Sequence, residues 1–339
     1  MKLYVAIDLH SNNNVVVALD ETDKVLLEKR LPNDLAVVLE HLGPYKDDVQ
    51  AIAVESTYNW YWLVDGLMKA GYEVKLVNTL AVKTYDGLKY TGDEHDARHL
   101  AHLLRLGLLP TGHIYPRQER AARDLLRKRA QLVRNRTMHI LSVQNLVIRN
   151  SGKRITSDAI RKLNDEALTG ICGGDAALIM AIKSSLAVLC CLDDQIKTLE
   201  RAALARAKLR PEFKVLRSIS GVGEILGMTI MYEAGAIERF TEVGQFASYA
   251  RCVESARWSN GKKKGEGNRK NGNKYLSWAF VEAAHYTVRH NERIRAYYQR
   301  KKARTNGAVA VKAVAHKLAR ACYHMIKDRS AFDEALAFA

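Results

Sequence analysis

"LYVAIDLHSNNNVVVALDETDKVLLEKRL", Leu3 to Leu31, decides the fold. Its apolar runs "LYVAIDL", "NVVVALDE" and "KVLLEKRL" are separated by Ser, Asn, Asp and Thr, side chains that hydrogen-bond their own backbone and favour turns. Three short strands joined by turns follow from that pattern. Downstream, "DLAVVLEHLGPY" has helical spacing and "VQAIAVES" reads as a buried strand. "NWYWLVDGLMKAGY" is then a helix ending at Gly71, and "EVKLVN" a further strand. A meander followed by β-α-β alternation predicts an α/β domain, a mixed sheet flanked by helices, over the first hundred residues.

The chain has 339 residues, 47% of them hydrophobic, enough for substantial cores and for two or three domains. Its 53 Lys and Arg against 37 Asp and Glu leave a formal charge of +16. That imbalance points to a polyanionic partner, nucleic acid first and an anionic membrane surface second. No uninterrupted apolar run has membrane-spanning length, and "MKLYVAIDLH" enters a strand, not a signal sequence, so an intracellular protein is expected. Cys172, Cys190, Cys191, Cys252 and Cys322 show no CxxC spacing, which disfavours structural zinc and fits a reducing compartment.

Against this basic background stands a small acidic group. Asp8 ends the first strand and Glu55 ends "AIAVE"; if these strands are neighbours, both carboxylates emerge at one sheet edge. In "KYTGDEHDARHL", Asp93 and Asp96 lie three apart, so a helix beginning near Gly92 presents both on one face. Four carboxylates from three segments suit Mg²⁺, which takes oxygen ligands and keeps positions for water and phosphate. Two such ions, about 3.5–4 Å apart, stabilise the attacking and leaving oxygens of a phosphoryl transfer. Each acid also has a plainer reading: Asp93 as a helix cap, Asp96 paired with Arg98 or Lys89, Asp8 closing a turn.

From Arg117 to Asn150 the pattern is one long helix. Leu126, Val133, Ile140 and Val147 recur every seventh residue, while Arg127, Lys128, Arg129, Arg134 and Arg136 form a basic surface suited to nucleic acid. A loop-rich interval precedes a second helix whose Leu189, Leu192, Ile196, Leu199 and Ala203 alternate steps of three and four. The two helices can pair as a hairpin or across subunits. Further on, "RFTEVGQFASYARC" reads as helix, and "ESARWSNGKKKGEGNRKNGNKYLSW" as a glycine- and lysine-rich loop. Helices resume at "YLSWAFVEAAHYTVRH" and "GAVAVKAVAHKLARACYHMIKD". In the loop, Lys262, Lys263, Lys264, Arg269, Lys270 and Lys274 make a phosphate-contacting surface. Ser259 at its start is a candidate nucleophile towards a phosphodiester, with Ser255 and Ser277 as alternatives; a turn or cap is the plainer role for any of them.

The order Asp8, Glu55, Asp93, Asp96 with its "DEHDAR" ending, then "SISGVGEILG" and "SNGKKKGEGNRKNGNKYL", resembles the DEDD transposases of the IS110 insertion-sequence family. The lysine-rich loop looks more like the IS-eleven-eleven subgroup. The resemblance implies three regions: a RuvC-like, RNase H-type catalytic domain over residues 1–112, a helical coiled coil over 113–210, and a helical C-terminal transposase domain over 211–339. It implies Mg²⁺, two ions per site, on the four acids, and a nucleophilic serine carried over to Ser259. Asn260 stands where many relatives have glycine, and Arg269 where relatives often place a second serine. It further implies donor and target DNA, a noncoding guide RNA from the same element, a dimer that becomes a tetramer when active, and a bacterial cytosolic, nucleoid-associated location. "SISGVGEILG" resembles a helix-hairpin-helix offering amides to phosphate; close helix packing also explains its small residues. Three other readings compete: a RuvC-like nuclease or junction resolvase using water, an actin-like or sugar-kinase ATPase, and a non-enzymatic RNA- or DNA-binding scaffold.

Overall fold

The computed structural model describes residues 1–82, 92–254, 256–266 and 271–339. The chain divides into two compact units, Met1–Ile114 and Tyr115–Ala339.

The first unit is built on a six-stranded sheet of order β3-β2-β1-β4-β5-β6. The meander is β1 (Leu3–Leu9), β2 (Asn13–Leu19) and β3 (Val25–Pro32), antiparallel neighbours in register Ala6 to Val17 and Val16 to Lys29. Helix α1 (Leu35–Leu42), capped by the Asp34 side chain, leads to β4 (Val49–Glu55), which pairs parallel to β1. Then come α2 (Tyr61–Lys69), β5 (Val74–Val77) parallel to β4, α3 (Asp93–Arg105) and the short antiparallel β6 (Thr111–Gly112). The sheet's pleat sorts its two faces. Val5, Ile7, Leu9, Ile52 and Val54 bury against α1 and α2, while Ala6, Val15, Val17 and Ala53 bury against Ala97, Leu100 and Ala101 of α3. Covered on both faces, β1 is almost wholly buried, as a continuous apolar run predicts. This mixed α/β sheet is the one the strand and helix pattern predicts, and it is consistent with the RNase H-like domain that the resemblance implies.

The second unit is mostly helical. Helix α4 (Arg117–Ser151) ends at Gly152 in the left-handed conformation, φ 70°. Two short helices, α5 (Ser157–Ile160) and α6 (Asp165–Cys172), occupy the interval read from sequence as loop. Each starts at a side-chain cap, Thr156 and Asn164. Helix α7 (Ala176–Ala207) packs back along α4 as a hairpin, burying Ile140, Val143 and Val147 with Leu178, Ile182 and Leu189. Among the described residues α7 is the one helix long and apolar enough to cross a membrane by length and composition, with Lys183 interrupting its apolar run.

The C-terminal core follows with α8 (Pro211–Leu216), α9 (Glu224–Ala234) and α10 (Val243–Tyr249). The helix read across "RFTEVGQFASYARC" is thus broken, continuing only from Val243. Next stand β7 (Ala256–Ser259) and β8 (Lys262–Glu266), then α11 (Lys274–His290), α12 (Glu292–Arg304), α13 (Gly307–Asp328) and α14 (Glu334–Ala337). Buried nearly all round, α9 sits at the centre of this core. At "SISGVGEILG" close packing is the role the structure displays. Gly221, φ 91°, lies so near α11 that a Cβ would come 2.9 Å from the Tyr286 and Thr287 backbone.

The lysine-rich segment differs from the loop expectation. It forms an antiparallel hairpin, Ser259 paired with Lys262 across a two-residue turn of Asn260 (φ 50°) and Gly261 (φ 68°). Positive φ at both central residues is the turn whose twist matches the strands, and Asn-Gly is its preferred sequence.

Candidate active site

The parallel register Ile7 to Val54 carries Asp8 and Glu55 together at the carboxyl ends of β1 and β4. Both point to the α3 face, in phase with Ala6 and Ala53. Gly92, extended at φ −118° and ψ 162°, starts α3, so Asp93 and Asp96 occupy its first turn. Asp8 is 5% exposed, and the half-buried Glu55 is hydrogen-bonded to it. Burial, that hydrogen bond, and the negative charges of Asp8 and Asp96 push the Glu55 carboxyl up to about 8. Asp96 itself is exposed.

Asp93 is reached by two nitrogen-bearing side chains, Arg30 and His10. Arg30 Nη2 donates to its Oδ2 at 2.7 Å, and His10 Nε2 lies 3.1 Å from the same oxygen and 3.5 Å from Asp8 Oδ2. Arg30 also reaches Glu94 at 3.2 Å and Asn13 at 3.0 Å. The Arg30 hydrogen bond, helped by His10, holds the Asp93 carboxyl below the usual range. Asp8, His10 and Asp93 present ligand atoms all within 4.8 Å of one another.

Among the described residues, which leave out Lys89, the plainer roles are not the ones the structure displays. Gly92, not Asp93, is the cap residue; Arg98 makes a two-pronged pair with Glu28 (2.5 and 2.8 Å) instead of meeting Asp96; Asp8 sits inside a strand. The donor set fits a hard divalent cation, because it is carboxylate-rich and one member keeps its proton near neutrality for want of positive charge. Sequence reasoning missed His10, Arg30 and Glu94. His10 was findable, since strand period places it two residues past Asp8 on the same side. Arg30 was not, because its position depends on the sheet order bringing β3 beside β2.

Ser259 is exposed at the end of β7, with Lys262, Lys263 and Lys264 exposed beyond the turn. Lys263 pairs with Glu254 at 3.2 Å. Ser255, Arg269 and Lys270 lie outside the described residues, as does Lys89, and Ser277 is half-buried on α11. The segment is closed at its base: Asn273 N–H donates to Tyr249 O at 2.6 Å, and Arg251 Nε to Asn271 O at 3.1 Å. Behind it lies Glu233 on α9, 1% exposed, accepting from Arg123 (3.1 Å), Arg127 (2.7 Å) and the Asn273 side chain (2.8 Å).

That cluster changes the reading of the arginine-rich helix. Arg127 is held by Glu233, Arg129 by Glu200 at 2.8 Å, and Arg136 by Asp193 at 2.8 Å, the last two on α7. Lys128 donates to Gln131 at 3.2 Å; Arg134 is exposed, as is Lys274 at the start of α11. Much of this charge therefore joins α4 to its neighbours within the unit.

Residues 5–149 match the family model of DEDD-type IS110 transposases, and residues 213–299 match one described as Transposase IS116/IS110/IS902 family. The chain belongs to the IS110 transposase family. No curated protein matches it. The first match takes in all four acids, and the second runs from α8 through Glu233, the Ser259 hairpin and α11. As an IS110-family transposase it is an enzyme acting on DNA, and the DEDD domain implies use of a divalent metal.

Proposed function

We propose that this transposase cuts and rejoins DNA strands through a covalent phosphoserine, with Ser259 as nucleophile and Asp8, Glu55, Asp93 and Asp96 holding two Mg²⁺ ions in a RuvC-like site. The observation that carries the reading is the Glu55–Asp8–Asp96 group, crowded enough to raise the Glu55 carboxyl to about 8. Bound Mg²⁺ supplies Lewis acidity to the scissile phosphate and balances charge on its oxygens.

The Ser259 hydroxyl oxygen forms a bond to phosphorus as the bond to one DNA strand breaks. The hydroxyl proton ends on the departing strand's oxygen. A hydroxyl from the partner strand then displaces the serine, which recovers a proton, and the phosphodiester count is unchanged. The acids belong to the first unit and Ser259 to the second. A noncoding guide RNA pairing with donor and target DNA completes the reading, with exposed Arg134 and Lys128 available to its backbone. Assembly as a dimer, and a tetramer when active, is supported by exposed apolar residues on the α4–α7 hairpin, Met138, Leu141 and Met180 among them.

The test is a denaturing gel of protein, Mg²⁺, copurifying RNA and labelled DNA spanning the element's junction. A protein–DNA adduct should appear and vanish with Ser259→Ala, and Asp93→Ala should abolish all cleavage. Free DNA ends that persist in Ser259→Ala would replace this reading with a nuclease that uses water.

A further inference from the structure

Helix α12, "ERIRAYYQRKKAR", carries six cations, Arg293, Arg295, Arg300, Lys301, Lys302 and Arg304, against the single acid Glu292. Among the described residues none of the six is in an ion pair, in contrast to the arginines of α4. The nearby Glu334 carboxylate is occupied by the Asn291 side chain. Ile294 is buried and Tyr297 stacks edge-on with Phe338 at 5.4 Å, so that side of the helix faces the core.

The remaining side has a defined layout. At about 100° per residue, Arg293, Arg300 and Arg304 form one row along one shoulder. Arg295 and Lys302 form a second row on the opposite shoulder; Arg295 Nε donates to Val288 O at 3.1 Å and its Nη2 to Arg289 O at 2.5 Å, which fixes the guanidinium at the end of α11 and leaves Nη1 outward. Between the rows the exposed floor is Ala296, Gln299 and Ala303, small or neutral, with the acid Glu292 in line with them at the first turn. A helix of about 10–12 Å diameter with cations on both shoulders and a low floor matches the B-DNA major groove, about 12 Å wide and bounded by two phosphate rails. The deep, narrow major groove of A-form RNA does not admit a helix.

We infer that α12 docks into the major groove of duplex DNA, its two cationic rows each meeting the phosphates of one strand. The inference rests on the DNA-transposase assignment, and on neither Ser259 nor the metal site. The experiment measures binding of the full-length protein to labelled duplex DNA by fluorescence anisotropy in EDTA, where no strand chemistry occurs, from 50 to 300 mM salt. The triple variant R293Q/R300Q/R304Q should lower the slope of log K against log salt by about 2.7, and affinity near 0.15 M salt on the order of 10²-fold, for three lost phosphate contacts. The matched Arg→Lys triple should retain the slope, since it keeps the charges. An unchanged slope and affinity in the Gln triple would overturn the inference. So would loss of duplex RNA binding with DNA binding intact, which would make RNA the partner. Failure of the Ser259 adduct would leave this result untouched.

Discussion

Glu233→Ala removes the buried carboxylate that Arg123 and Arg127 share, leaving their guanidinium groups against the Tyr115 and Tyr275 rings. Arg123 and Arg127 are 8% and 29% exposed at the side chain and share the one carboxylate, itself 1% exposed. Breaking a buried pair by removing one partner costs about 3–5 kcal/mol, because the stranded charge is desolvated without compensation. With Arg127 partly solvated, the lower end, about 3 kcal/mol, is expected. For a unit of this size each kcal/mol moves the melting temperature by about 2–4 °C, so the transition of the unit Tyr115–Ala339 should fall by about 6–12 °C in calorimetry of the full chain. Burial pushes the Glu233 carboxyl up, but the Arg127 hydrogen bond, both arginine charges and Asn273 outweigh it and leave the group below its ordinary value. Its contribution is therefore present above the unfolded-chain value of 4.5 and lost as pH falls through the lower folded value, so wild type and variant should converge in acid. Replacing Glu233, Arg123 and Arg127 together by apolar residues should cost less than Glu233→Ala alone. A shift below about 2 °C for Glu233→Ala, or no convergence in acid, would refute the argument.

Two further outcomes are expected. Because Glu55 is raised from 4.5 to about 8, its contribution to stability of the metal-free unit is full below pH 4.5 and lost as pH rises towards 8. Mg²⁺ titrations at pH 7 in two buffers of different ionisation enthalpy should then show proton release, and buffer-independent heats would refute the coupling. Gly221→Ala places a Cβ 2.9 Å from α11 backbone at φ 91°, at a cost on the order of 2–4 kcal/mol in chemical denaturation; an unchanged midpoint would mean that α11 can retreat there.

Much of the fold was legible because its signals are local. The alternation in "LYVAIDL" and its neighbours marks β1 to β3 within a residue or two, and the heptad from Leu126 to Val147 marks α4. The four acids were legible because each terminates a recognisable strand or opens a helix. What stayed hidden was either short-range chemistry overlooked or long-range pairing. Asn260-Gly261 is a hairpin turn in two residues, masked by the surrounding lysines and glycines, which read as loop. Arg30 reaches Asp93 across a separation of 63 residues, and Glu233 meets Arg123 across 110, distances at which no periodicity reports. Helix α12 was invisible as a helix because its mean composition is so polar that its apolar stripe shrinks to Ile294 and two tyrosines.

The closed base of the Ser259 segment separates its anchorage from its length. Tyr249 and Asn273 are joined by a hydrogen bond, and Gly272, φ 90°, has no room for a side chain against Tyr249 O. With the ends fixed there, doubling the intervening chain costs only about 0.6 kcal/mol of closure entropy. Changes of length within the hairpin should therefore leave its anchors, Tyr249, Gly272 and Asn273, where they are.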